Sequence, residues 1–251
     1  YVSWLSDAVR GDFGDSMTRP YEVAELLGHR LPVSIELALY AMVLGVLIGM
    51  PVGVLSAKRV NAIPDIVGRA FAFVFIATPP FALGTVLILV NSLTVKIKMT
   101  GYVPFLDDPI GNLTVMFWPA LLLGLVMASV IARYLRGTLL ETFMDDYSRT
   151  ARAKGAAPSR IVWRHSLRNA LTPVLTISGI ELAALVGGTV VIESVFSLPG
   201  LGTALVEAIR GSDYTVIQAG VLLLGVVYIV ANFIVDMLYP VVDPRIRVIA
   251  S

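Results

Sequence analysis

LALYAMVLGVLIGMPVGVLSA, residues 37–57, carries no charged side chain over 21 positions. A helix rises about 1.5 Å per residue, so a run of this length crosses the roughly 30 Å hydrocarbon core of a bilayer. Three further uncharged runs have the same character: 26 residues at 70–95, 23 at 110–132 and 22 at 214–235. A fifth, 171–192, is interrupted only by Glu181. None shows the polar stripe at helical spacing that a core helix of a soluble domain keeps on its wet side. The whole chain follows suit, with 57% hydrophobic and 15% charged residues and a mean hydropathy of +0.82. These features predict an all-α polytopic membrane protein. Its spans fall at about 33–57, 68–93, 111–133, 170–194 and 214–238, within a transmembrane domain covering 32–251.

The connections between the runs set the orientation, because Lys and Arg are retained on the cytoplasmic side. One side holds Lys58, Arg59, Arg69, Arg133, Arg136 and the basic residues of 149–168, together with Arg245 and Arg247; these are thirteen of the nineteen Lys and Arg. The other side holds six, mixed with acids such as Asp7, Asp12, Asp15, Glu22, Glu25, Asp107 and Asp108. The first side is therefore expected inside, with residue 1 external and the C-terminus cytoplasmic. Residues 1–31 are polar and carry no signal-peptide pattern. The expectation is an extracytoplasmic segment that follows a missing first span, with five spans visible of six.

Several chemistries find no residues here. The chain has no cysteine, so thiolate metal sites and a Cys nucleophile are excluded. His29 and His165 are isolated and fall on opposite sides of the membrane, which argues against a metal site. No nucleophile elbow or H-E-x-x-H occurs, and no G-x-x-x-x-G-K-[ST] loop that would cradle a nucleotide. No catalytic residue, metal or cofactor is assigned to the chain, and no nucleic-acid partner is expected. A channel or secondary transporter driven by an ion gradient is the alternative class. Such proteins carry paired repeats with interrupted helices, and no repeat is visible.

The longest internal connection, 134–169, concentrates Arg149, Arg152, Lys154, Arg160, Arg164 and Arg168. Asp145 or Asp146 suits a helix N-cap, Gly155 a left-handed C-terminal position, and Pro158 the first turn of a second helix. Three readings compete: a plain positive-inside loop, a patch for anionic lipid, and a docking element for a partner protein. The interleaved Ala151, Ala153, Gly155, Ala156 and Ala157 favour close approach of a partner backbone.

The segment DYSRTARAKGAAPSRIVWRHSLRNAL resembles the EAA loop of ABC-importer permeases, Glu-Ala-Ala, three residues, Gly, nine residues, Ile-x-Leu-Pro. Aligned on Gly155, that pattern falls on Arg149, Thr150 and Ala151 at one end and Leu167 and Arg168 at the other; Ala151, Gly155 and Leu167 match. RTARAKG followed by RHSLRNAL, LVGGTVVIESVFSLPGLG at 185–202, and the early WLSDAVRGDFGDSMTRPYEVAELLGHRLPVSIELAL are similar to the dipeptide and oligopeptide permeases. The resemblance spans essentially the whole chain. It implies a type I importer core in a bacterial inner membrane. Two homologous permease subunits would form the pathway, two ABC ATPase subunits would hold ATP and Mg, and an extracytoplasmic solute-binding protein would deliver the cargo. Coupling to the ATPases would run through Asp146, Arg149, Thr150, Ala151, Arg152, Lys154 and Gly155. The cargo implied is a di- or oligopeptide, although some relatives carry nickel or haem.

Inside the spans, Glu181 has two readings, a lining residue of the translocation path or a partner for a polar group on the second subunit. Glu36, Glu193 and Asp236 lie nearer span ends, where solvent or head groups are expected to reach them. Pro79, Pro80 and Pro119 predict kinks. Gly187 and Gly188 suit close helix contact. With Pro199 and Gly200 in the FSLPGLG turn, they are the candidates for an external gate, the alternative being an ordinary inter-span turn.

Overall fold

The computed structural model describes residues 2–144 and 167–242. These residues form eight helices and no strand beyond one isolated bridge between Asp15 and Glu22. In chain order the helices are α1 (Val2–Val9), α2 (Val23–Lys58), α3 (Ile63–Ala77), α4 (Pro80–Leu93), α5 (Pro109–Met144), α6 (Leu167–Phe196), α7 (Leu201–Gly211) and α8 (Tyr214–Val242). Among the described residues, α2, α5 and α8 are each long and apolar enough to cross a membrane. The count rises to five if two bent helix pairs are each taken as one span. One of these pairs is α3 with α4. The break between them is local chemistry: Thr78 precedes Pro79 and is driven to extended backbone, φ −99° and ψ 125°. Pro119, by contrast, lies inside α5, which continues on both sides of it.

Two compact units emerge, and several helices contribute to both. In the first, comprising Tyr1–Ala41, Pro80–Leu123 and Ala183–Val230, a small apolar core gathers Val23 and Leu27 of α2, Leu201 and Ala208 of α7, and Val216 and Ala219 of α8. Trp4, Phe13 and Tyr21 close over it. Helix α7 was not expected from the sequence, where FSLPGLG reads as a turn and no element is assigned between it and the span at 214–238. Its Leu201, Ala204, Leu205 and Ala208 are all buried and recur at helical spacing, one face of an amphipathic helix.

In the second unit, α2 meets α5 along a stripe of glycines. Gly45, Gly49 and Gly53 recur every four residues and therefore share one face. A Cβ added at Gly49 would lie 2.7 Å from the carbonyl oxygen of Ala128, and one at Gly53 would lie 2.9 Å from that of Ala132. Backbone meets backbone here, as in membrane helix pairs built on small residues. The same unit contains a fully buried acid. Asp65 accepts two hydrogen bonds from Arg136, Nε at 2.6 Å and Nη2 at 3.0 Å, and a third from Asn61 N at 2.8 Å.

Many large apolar side chains are left uncovered, among them Leu47, Phe73, Ile229 and Phe233. Helix α8 buries little of its apolar window. Helices clothed in this way are stable in hydrocarbon or against a second apolar surface, not in water.

Candidate functional site

The proposed coupling residues Asp146, Arg149, Thr150, Ala151, Arg152, Lys154 and Gly155 lie outside the described residues, as does His165. Helix α5 leads to that segment at Met144, and α6 begins after it at Leu167. Glu181 sits near the middle of α6, half-buried, with no ion pair among the described residues. Gly187 lies on the same helix. Gly188 suits tight helix contact in the sequence, but among the described residues no neighbouring atom lies within 4 Å of the position of an added Cβ. It faces open space within the subunit. Pro199 is half-buried and Gly200 buried.

The corner between α6 and α7 is where the chain departs most from its sequence reading. Glu193 was expected within reach of solvent, yet it is 0% exposed. Proximity to a span end did not expose it, because the chain turns back at FSLPGLG and lays α7 over the carboxyl group. The two helical segments there are bent by 87°. Ser34 Oγ donates to Glu193 Oε1 at 2.6 Å, and the backbone N–H of Thr203 donates to Oε2 at 3.0 Å. Leu201 N donates in turn to Ser34 Oγ at 2.8 Å.

These bonds replace a missing cap. The N-cap position of α7 is Gly200, which has no side chain to satisfy the first N–H groups of the helix. Ser34 of α2 serves the first of them and Glu193 of α6 the third, and a carboxyl group at a helix N-terminus is further favoured by the helix dipole. Glycine is required at 200 because an added Cβ would fall on the Glu193 carboxyl group. At Gly202 it would lie 2.6 Å from Val190 Cα. Three helices are thus locked at one point. Ser34→Ala removes both bonds of its hydroxyl and leaves a buried acceptor and a buried N–H unserved, at a cost of about 2 kcal/mol. The expected result is a lower melting temperature for the purified subunit. A melting curve matching the wild type would show that the corner does not depend on this hydroxyl.

Glu36 is half-buried and accepts from Tyr102 Oη at 2.8 Å, while Asp236 is exposed. Asp213 forms a second clasp. It precedes α8 and accepts from Val216 N, from Met17 N at 3.2 Å, from Thr18 Oγ1 at 3.0 Å and from Ser16 Oγ. Burial alone would raise its pKa, but these donors outweigh that effect and hold the carboxyl group below the ordinary aspartate range. The segment before α2 is fastened in this way to the start of α8.

The chain is similar to known proteins over nearly its full length. A family model described as binding-protein-dependent transport system inner membrane component matches residues 49–248. A probable peptide ABC transporter permease protein of Sinorhizobium fredii is 36% identical over 98% of this chain and 79% of its own. An oligopeptide transport system permease protein of Bacillus subtilis is 39% identical, with the same coverage of both chains. Among solved structures, an inward-facing MetNI methionine ABC transporter aligns with a TM-score of 0.67 and 25% identity, covering 87% of this chain and 96% of that one.

Proposed function

Because the chain belongs to the family of binding-protein-dependent transport system inner membrane components, we propose that it forms half of the translocation pathway of an importer for short peptides. At the coarser level it is a multi-pass inner-membrane permease subunit with the type I ABC importer fold. The finer reading is carried by relatives named for peptide and oligopeptide transport that align over 98% of the chain. The proposed assembly adds a second homologous permease, two ATPase subunits that hold ATP and Mg, and a solute-binding protein outside. The charge distribution supports a cytoplasmic C-terminus.

In this reading the segment around 147–154 docks into an ATPase subunit, and ATP-driven closure of the ATPases moves it as a rigid body. Helices α5 and α6 flank the segment and carry the displacement into the membrane. A side chain at Gly155 would meet either the left-handed backbone angle expected there or the wall of the ATPase cleft. The test is peptide uptake by the complete complex in proteoliposomes. Gly155→Val should leave the subunit inserted and ATP hydrolysis running while uptake per ATP falls about tenfold or more, the scale of a lost coupling of about 1–3 kcal/mol. Normal uptake by this variant would refute the docking role. Wild-type uptake that survives ATP depletion and collapses with the proton gradient would refute the importer.

A further inference from the structure

The second unit contains a cavity of about 360 Å³ lined by Arg69, Arg133, Arg136 and Ser56, with Phe73 and Ile76 on its apolar wall. That volume matches a small-ligand site. We propose that it binds the phosphate headgroup of an anionic phospholipid, with an acyl chain running along Phe73 and Ile76.

The depth of the cavity supports a headgroup. Three uncharged runs end among its residues: 37–57 just beyond Ser56, 110–132 just before Arg133, and 70–95 just after Arg69. Charge begins where hydrocarbon-compatible sequence stops, which is the level of lipid phosphates. The charges in the cavity are also unbalanced. Three guanidinium groups line it: Arg136 and Arg69 share the buried Asp65, and Arg133 has only the longer-range attraction of Glu181. Arg136 gives two of its five N–H groups to Asp65 and keeps three, and the paired carboxylate fixes its orientation. Arg69 reaches Asp65 only at 3.6 Å, with a half-exposed side chain. Arg133 lies over the ring of Tyr134 at 5.5 Å and makes no ion pair among the described residues.

The apolar side distinguishes a lipid from a free anion. Phe73 is 74% exposed and Ile76 41% exposed, on the helix that carries Arg69. A dissolved phosphate would use the guanidinium groups and leave this wall bare. A phospholipid covers both. The site depends on the membrane assignment and not on the identity of the transported cargo.

The experiment is native mass spectrometry of the purified complex titrated with phosphatidylglycerol and, separately, phosphatidylcholine. The wild type should retain phosphatidylglycerol preferentially. Each basic side chain near an anionic lipid contributes about a fivefold factor. Arg133→Gln should therefore weaken retention about fivefold, and Arg69→Ala with Arg133→Gln about 30-fold. Arg59→Ala, outside the cavity, should leave retention unchanged. Arg133→Gln touches no buried pair, so it remains informative if the double variant fails to assemble. Equal retention of both lipids by the wild type would overturn the proposal, as would unchanged retention in Arg133→Gln. Displacement of the lipid by millimolar inorganic phosphate would overturn the lipid assignment in favour of a soluble anion.

Discussion

Valine in place of Gly49 is expected to prevent the subunit from accumulating in folded form. The first added atom would lie 2.7 Å from the carbonyl oxygen and 2.9 Å from the Cα of Ala128, and a helical backbone has no rotamer with which to retreat. The alternative is to part α2 from α5. That loses the contacts at Gly45 and Gly53 on the same face, where Met127, Ala132 and Leu135 approach. Overpacking a well-filled core costs about 1–3 kcal/mol. Two backbones forced apart along several turns belong at or above the upper end. Gly49→Ala should assemble with a lowered melting temperature, and Gly49→Val should be lost from the folded fraction in size-exclusion chromatography. Gly225→Ala, with open space at its Cβ, is the control. Wild-type yield and stability for Gly49→Val would mean that the two helices do not meet on this face.

Arg136→Met is expected to destabilise the subunit by about 3–5 kcal/mol, the cost of leaving one member of a buried ion pair without the other. Asp65 is 0% exposed, and two of its three hydrogen bonds come from Arg136. Arg69, at 3.6 Å, is too distant to replace them with good geometry. The sign of the double replacement is decided differently. Asp65→Leu combined with Arg136→Met removes both desolvation costs at once, and such exchanges are often neutral. It should recover most of the loss. Melting curves of the two single variants and the double give the coupling directly, and a double variant no better than the worse single would contradict this account of the pair.

What the sequence could disclose follows from the range of each interaction. Membrane helices are dictated by local composition, so the uncharged runs at 37–57, 110–132 and 214–235 correspond to α2, α5 and α8. The break before Pro79 is equally local, set by a residue and its neighbour. Glu193 was misplaced because its surroundings are not local. Ser34 is 159 residues away, and only the fold reveals that α7 turns back over the carboxyl group. Asp65 and Arg136, 71 residues apart, were likewise invisible as a pair. Helix α7 left a readable signal, Leu201, Ala204, Leu205 and Ala208 at helical spacing, obscured by the turn residues of FSLPGLG before it. Gly45, Gly49 and Gly53 were also legible as one face of a helix. Their partner helix was not.

The joint made by Ser34, Glu193 and Thr203 has a mechanical consequence. A hinge needs slack, and this elbow has none: its cap is borrowed from two other helices and its glycine leaves no gap against the carboxyl group. A push on α7 therefore swings the adjoining end of α6 like the arm of a crank, instead of being absorbed in the bend.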